Sequence, residues 1–335
     1  MLPVARLKTA LRDPGLAADY AASRIGPVFS AVELPITSRF PRGQNVLDED
    51  WDVLLILDTC RVDALREATD RTDYEWLTNV GNRWSVGGST LEWTAQTFRE
   101  TYREQADVDY IAGNVLVQQV LSGERTPEEI AGVPWAPTNW KTLSLSSLNH
   151  FRSAGNLRSA KEAAAGHEDR PHPSADLVTD LTINHARDAS PNKLIAHYVQ
   201  PHYPYYSAVE SGNQDELNEW QRYPFWELRT GQVDRERVWE LYMEELLQAL
   251  EAIDTLLENL DAERVAITAD HGEAFGERHR GIRGYGHRGG TSHPAVRRVP
   301  WATTTATDHE THKPIIETAS DNKDTEEQLS ALGYL

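Results

Sequence analysis

Three short runs of apolar residues constrain this chain more than any other feature. Asp52-Val-Leu-Leu-Ile-Leu-Asp58, Leu194-Ile-Ala-His-Tyr-Val199 and Arg264-Val-Ala-Ile-Thr-Ala-Asp270 are continuous rather than alternating. That is the pattern of strands buried on both faces of a sheet. Val108 to Ala112 and Val299 to Thr304 are weaker strand candidates. Between these runs the periodicity is helical, most clearly from Asp234 to Leu260, where Val238, Leu241, Leu246, Leu250, Ile253 and Leu257 form a stripe. Another helix opens at Ser174, a serine suited to an N-cap. Alternating strands and helices predict an α/β fold: a central, largely parallel sheet with helices on both faces. Chemistry in such sheets collects beyond the carboxyl ends of the strands. Two of the three best runs end there in aspartate, at Asp58 and Asp270.

Composition narrows the classes. With 335 residues and a net charge of −19, the chain fits two domains or one large α/β domain, and its acidic surface argues against nucleic acid as a partner. The single cysteine, Cys60, excludes an intrachain disulfide, a zinc-finger cluster and Cys-x-x-Cys chemistry; it reads as a small buried residue. No apolar stretch is long enough to span a bilayer, and Arg6 and Lys8 stand where a signal peptide would have its apolar core, so a cytoplasmic location is expected. Only six of the 33 basic residues are lysines. A lysine-poor, acid-rich surface suits a salt-rich cytoplasm and marks a halophilic protein.

Residues 1–45 differ from the rest, with six basic against three acidic side chains. Val4, Leu7 and Leu11 share a helical face that could make a weak contact at the inner membrane surface. The face is short, which favours a helix that packs on the main domain or frays. The expected organisation is this basic helical extension (1–45), an α/β catalytic domain (46–306), and an acidic connector with a C-terminal helix (307–335). Residues 154–173 and 207–232 read as polar insertions, candidate lids over a site.

Asp270-His271-Gly272-Glu273 places an acid and an imidazole together after a strand, where both can reach one divalent cation. Gly272 is expected to allow the sharp turn that aims them, and Asp58 to supply a further oxygen. A third element is Val86-Gly-Gly-Ser-Thr-Leu-Glu-Trp93, a glycine loop entering a helix. A hydroxyl there lies at the positive end of the helix dipole, and a coordinated cation would make it a nucleophile. Ser89 or Thr90 would equally serve as N-cap; one can cap while the other attacks.

These segments, together with Thr59-Cys60-Arg61-Val62-Asp63, Gln200-Pro-His202-Tyr-Pro-Tyr205, Gly286-His287 and the ending Leu329-Ser-Ala-Leu-Gly-Tyr334, resemble the alkaline phosphatase superfamily, in its sulfatase-like branch of haloarchaeal type. The resemblance covers about residues 45–335 and implies an alkaline-phosphatase-like fold. It implies Asp58, Asp270 and His271 as metal ligands, with Thr90 rather than Ser89 as nucleophile and fourth ligand. His202 and His287 would contact the transferred group or its leaving oxygen, either one donating the proton. Arg61, with Ser89 and His202, is a candidate for binding the substrate; Arg61 would position the loop after Asp58 or neutralise the anion, the former being favoured. Asp63, Glu273, Glu277 and His279 read as supporting residues.

Two departures from the family pattern matter. No cysteine stands at the nucleophile position and Cys60 is followed by Arg-Val-Asp-Ala, so formylglycine chemistry is excluded. Gln200 stands near where two-metal relatives keep an aspartate, which argues for one firmly held Mn²⁺, Zn²⁺ or Mg²⁺ and leaves a second site open. The expected activity is hydrolysis of phosphate or sulfate esters, phosphodiesters included, through a covalent threonyl intermediate, the ester being small-molecule, lipid or glycan. The rivals are transfer to an alcohol acceptor and a catalytically silent binding module. The sequence leaves the oligomeric state open.

Overall fold

The computed structural model describes residues 32–131, 133–155, 157–159, 172–207, 217–315 and 318–320. Val4, Leu7 and Leu11, the C-terminal helix, most of the insertion at 154–173 and residues 208–216 of the second insertion lie outside the described residues. The strands are β1 (Val53–Leu57), β2 (Gly81–Trp84), β3 (Asp109–Ala112), β4 (His150–Ser153), β5 (Leu157–Ser159), β6 (Leu194–Tyr198), β7 (Ala262–Thr268), β8 (Ala274–His279), β9 (Ile282–Gly286), β10 (Arg298–Ala306) and β11 (Thr318–Ser320). The helices are α1 (32–39), α2 (Val62–Arg71), α3 (Thr90–Thr97), α4 (Val115–Ser122), α5 (Pro127–Ile130), α6 (Ala175–Ala189), α7 (Glu219–Arg222), α8 (Pro224–Arg229), α9 (Arg235–Leu257) and α10 (Pro294–Arg297).

Seven strands form one sheet in the order β2-β10-β7-β1-β6-β3-β4. The run from β7 to β4 is parallel throughout, and β10 is antiparallel to both its neighbours. The mixed α/β class and largely parallel sheet expected from the apolar runs are therefore present. All five residues of β1 are buried. Val53, Leu55 and Leu57 face a core that also contains Leu65 of α2, Leu181 of α6 and Leu250 of α9. Leu54 and Ile56 face a second core with Trp93 of α3 and Val117 of α4. A strand with helices packed on both sides has no polar face, which is why its sequence does not alternate.

Two segments flanking the sheet domain also dock. Leu34 of α1 is buried beside Val133 and Ala136, so this part of the N-terminal extension packs on the main domain. Residues 307–315, in the expected acidic connector, are held by side-chain contacts: Arg187 of α6 binds Asp308 at 2.8 Å and His312 meets Asp180 at 2.5 Å. Among the described residues no helix is long and apolar enough to cross a membrane.

Candidate active site

Asp58 and Asp270 follow the carboxyl ends of adjacent strands, β1 and β7, and neither is exposed. One oxygen of each is committed to the protein. Asp58 Oδ2 accepts from Asn114 Nδ2 at 2.7 Å and from the Thr90 hydroxyl at 3.4 Å. Asp270 Oδ1 accepts from the backbone N–H groups of His271 (2.8 Å) and Thr59 (3.2 Å). The other two oxygens, Asp58 Oδ1 and Asp270 Oδ2, are buried and have no hydrogen-bond donor.

His271 completes the cluster. Its Nδ1–H donates to the Gly272 carbonyl at 2.9 Å, so Nε2 presents a lone pair. That atom lies 3.6 Å from Asp58 Oδ1, 3.4 Å from Asp270 Oδ2 and 3.4 Å from Thr90 Oγ1. Burial pulls the imidazole down to about 4, so it is neutral. Burial, then the nearby Asp270 charge, pushes the Asp58 carboxyl well above the usual range. Two carboxylates and a lone pair converging without a donor repel one another, and a cation relieves exactly that kind of convergence. Asp58, Asp270 and His271 thus fit a divalent metal ion; they are the one group of three such ligands among the described residues.

Ser89 and Thr90 divide the helix entrance. Ser89 is the N-cap of α3, its side chain accepting from Glu92 N at 3.3 Å. Thr90 begins the helix with its hydroxyl in the cluster. Gly87 is required because a Cβ there would meet Trp93 N at 2.2 Å. The role expected of Gly272 needs correction. Its φ is not in the left-handed region; a Cβ would instead strike the Ala295 carbonyl oxygen at 2.3 Å, and its N–H donates to Val296 O. A non-glycine residue of the site that is left-handed is Thr59, at φ 64°, a strained conformation for a β-branched side chain. Tyr242 of α9 holds it: the hydroxyl donates to Thr59 O and accepts from Arg61 N, both at 2.9 Å.

The two further histidines are in the same site. The His287 ring lies 4.3 Å from that of His271 and 5.2 Å from that of His202. His287 Nδ1 is 3.1 Å from both oxygens of buried Glu273. Burial pulls His287 down, but the Glu273 carboxylate outweighs it and holds the imidazole above its ordinary value. His202 donates from Nδ1 to the Tyr203 carbonyl, and burial, with His287 beside it, pushes it well below the usual range. Arg61 is engaged by the protein itself. Its guanidinium binds Asp63 at 2.6 and 2.8 Å, Glu277 at 2.7 Å and the Glu273 carbonyl at 2.8 Å, and lies over Trp239. Gln200 donates to Pro173 O and brings no carboxylate.

Four residues escaped the sequence reading. Asn114 reads as the N-cap of α4, and it is, but its amide also holds Asp58. His197 of β6 pairs with Tyr110 through Nδ1, and its Nε2 lies 3.9 Å from Asp270 Oδ2. Tyr242 reads as core. Glu92 has the spacing of a capping-box acid after Ser89. Instead, one of its oxygens accepts from Gly88 N and Gly290 N, both at 2.8 Å, and the other from Thr37 of α1 at 2.5 Å. It ties the Thr90 loop, the His287 loop and α1 together.

No protein-family model and no curated protein sequence matches the chain. Among solved structures it is similar to the integral membrane lipooligosaccharide phosphoethanolamine transferase A of Neisseria meningitidis, at 15% identity over 78% of this chain and 48% of that one, with a TM-score of 0.42. It is also similar to the C-terminal periplasmic domain of phosphoethanolamine transferase EptC from Campylobacter jejuni, at 15% identity over 76% of this chain and 78% of that one, TM-score 0.39. A third is the corresponding EptC domain of Escherichia coli in complex with Zn, at 13% identity over 80% and 76% of the two chains, TM-score 0.36. The chain spans about half the length of the first of these. Likeness at this level has no bearing on the reaction, which rests on the site itself.

Proposed function

We propose that this chain is a metal-dependent hydrolase of phosphate or sulfate esters in which Thr90 is the nucleophile. The observation that carries the reading is the pair of buried carboxylate oxygens, Asp58 Oδ1 and Asp270 Oδ2, that face the His271 lone pair with no donor. The motif resemblance to the alkaline phosphatase superfamily supports it. Asp58, Asp270, His271 and Thr90 Oγ1 would hold Mn²⁺, Zn²⁺ or Mg²⁺, which when bound would acidify the hydroxyl and draw charge from the transferred group.

The protein's own part follows from its contacts. Ser89 caps α3 and leaves the Thr90 hydroxyl for attack. Thr90 Oγ1 forms a bond to phosphorus or sulfur as the bond to the leaving oxygen breaks, its proton passing to Asp58 Oδ2. The leaving oxygen takes a proton from an imidazole. His287, fixed through Nδ1 by Glu273, presents Nε2 for this. Water then attacks the threonyl ester: its proton passes to the imidazole, its oxygen bonds to phosphorus or sulfur as the bond to Thr90 Oγ1 breaks, and the freed Thr90 oxygen takes its proton back from Asp58 Oδ2. Replacing that water by an alcohol on a lipid or glycan gives the transferase form of the same chemistry.

The test is turnover of chromogenic phosphate monoesters, phosphate diesters and sulfate esters by the metal-reconstituted protein, beside Thr90→Ala. One ester class should turn over, and Thr90→Ala should lose about 10³-fold or more while folded. Turnover of glyceryl or lipid alcohol adducts in place of free phosphate would select the transferase form. Wild type that binds no metal and loses nothing on chelation would sink both.

A further inference from the structure

The acidic character of the chain is interrupted along the β8–β9 hairpin and the segment after it. Residues 278–307 contain no aspartate or glutamate, yet carry Arg278, Arg280, Arg283, Arg288, Arg297 and Arg298. Arg297 is buried on backbone carbonyls and Arg288 pairs with Glu33 of α1. Arg278, Arg280, Arg283 and Arg298 are exposed, the first three around the β8–β9 hairpin turn. In a protein of net charge −19, a segment without acids is a local reversal of sign.

The neighbouring element exposes large apolar side chains. Val32, Ile36 and Phe40, at helical spacing along α1 and its end, are 60%, 58% and 72% exposed. Ile282, two residues beyond Arg280, is 59% exposed. The two elements meet: a groove of about 320 Å³ is lined by Ile36, Phe40 and Arg42 on one side and Arg280 and Ser292 on the other. The opposite face of α1 is fixed by buried Leu34 and by the Thr37–Glu92 bond, so the stripe cannot turn inward.

We infer that the face formed by α1 and the β8–β9 hairpin docks on an anionic lipid surface. Exposed aliphatic and aromatic side chains set among arginines match the two layers such a surface offers, an acyl boundary and a plane of phosphates. A symmetric dimer through this face would bring the two sets of arginines together, which like charge opposes. Docking would bring the lipid surface close to both site loops, because Glu33 holds Arg288 next to His287 and Thr37 holds Glu92 next to Gly88. This surface does not depend on which ester the site takes.

The test is co-sedimentation of the full chain with vesicles of phosphatidylglycerol or of phosphatidylcholine. Binding to phosphatidylglycerol vesicles alone at low salt is expected. Arg280→Glu with Arg283→Glu should weaken it at least about 20-fold. Ile36→Asp with Phe40→Asp should weaken it about tenfold or more, each double variant keeping its melting temperature because all four residues are exposed. Four outcomes would overturn the inference: no vesicle binding, equal binding to both lipids, binding that both double variants retain, or a wild-type dimer in solution that Ile36→Asp with Phe40→Asp converts to monomer.

Discussion

The two ends of the same parallel sheet treat aspartate in opposite ways. At the amino end, Asp52 precedes β1 and holds the guanidinium of Arg264 at 2.6 Å, while Asp109 opens β3 and holds His185 at 2.6 Å. Arg264 lowers the Asp52 carboxyl through hydrogen bonds, against the effect of burial. At the carboxyl end, Asp58 and Asp270 are fully buried and each has one oxygen that no protein group satisfies. An acid whose countercharge is another side chain is finished when the chain folds. An acid buried without one is completed from outside, and that difference, more than the identity of the residues, separates a strut from a site.

The comparison is tested most severely by removing charge at both ends. Asp58→Asn and Asp270→Asn should each abolish stoichiometric metal, read by elemental analysis, and reduce turnover about 10³-fold or more. Asp52→Asn and Asp109→Asn should retain both. Full metal occupancy in Asp270→Asn would erase the distinction. A second, smaller effect concerns the metal-free protein, where no cation offsets the repulsion between the two carboxylates. Asp58→Asn should then be more stable than wild type, by about 1–3 kcal/mol in denaturant titrations with chelator present. A less stable variant would mean that the bonds Asp58 accepts from Asn114 and Thr90 outweigh the repulsion between the two carboxylates. The smallest change is Tyr242→Phe, which leaves Thr59 O and Arg61 N without their partner. It should cost about 1–2 kcal/mol and weaken metal binding, because Thr59 N is one of the two donors orienting Asp270. Unchanged metal affinity would show that the turn does not set the geometry of Asp270.

The sheet was legible because burial on both faces writes itself into consecutive residues: Leu54, Leu55 and Ile56 cannot be read another way. Asp58, Asp270 and His271 were legible for a related reason, since each interrupts an apolar strand at its exit. The partners of these residues were not. Asn114 reaches Asp58 across 56 positions and Tyr242 reaches Thr59 across 183, and no local pattern announces either contact. His197 is hidden inside an apolar run, where one imidazole reads as core. Gly272 was visible as important, but its reason, the approach of Ala295, lies in a segment that only the fold brings near.

Loops around active sites usually differ freely in length between related proteins. Glu92 withdraws that freedom here. One carboxylate serves the amides of Gly88, in the turn before Thr90, and of Gly290, in the turn after His287, the latter 198 positions from the glutamate. Inserting or deleting a residue in either turn would shift its own amide and strip the shared acceptor from the other. The two turns therefore form a single unit for engineering: a graft from another scaffold has to carry both, together with the glutamate between them.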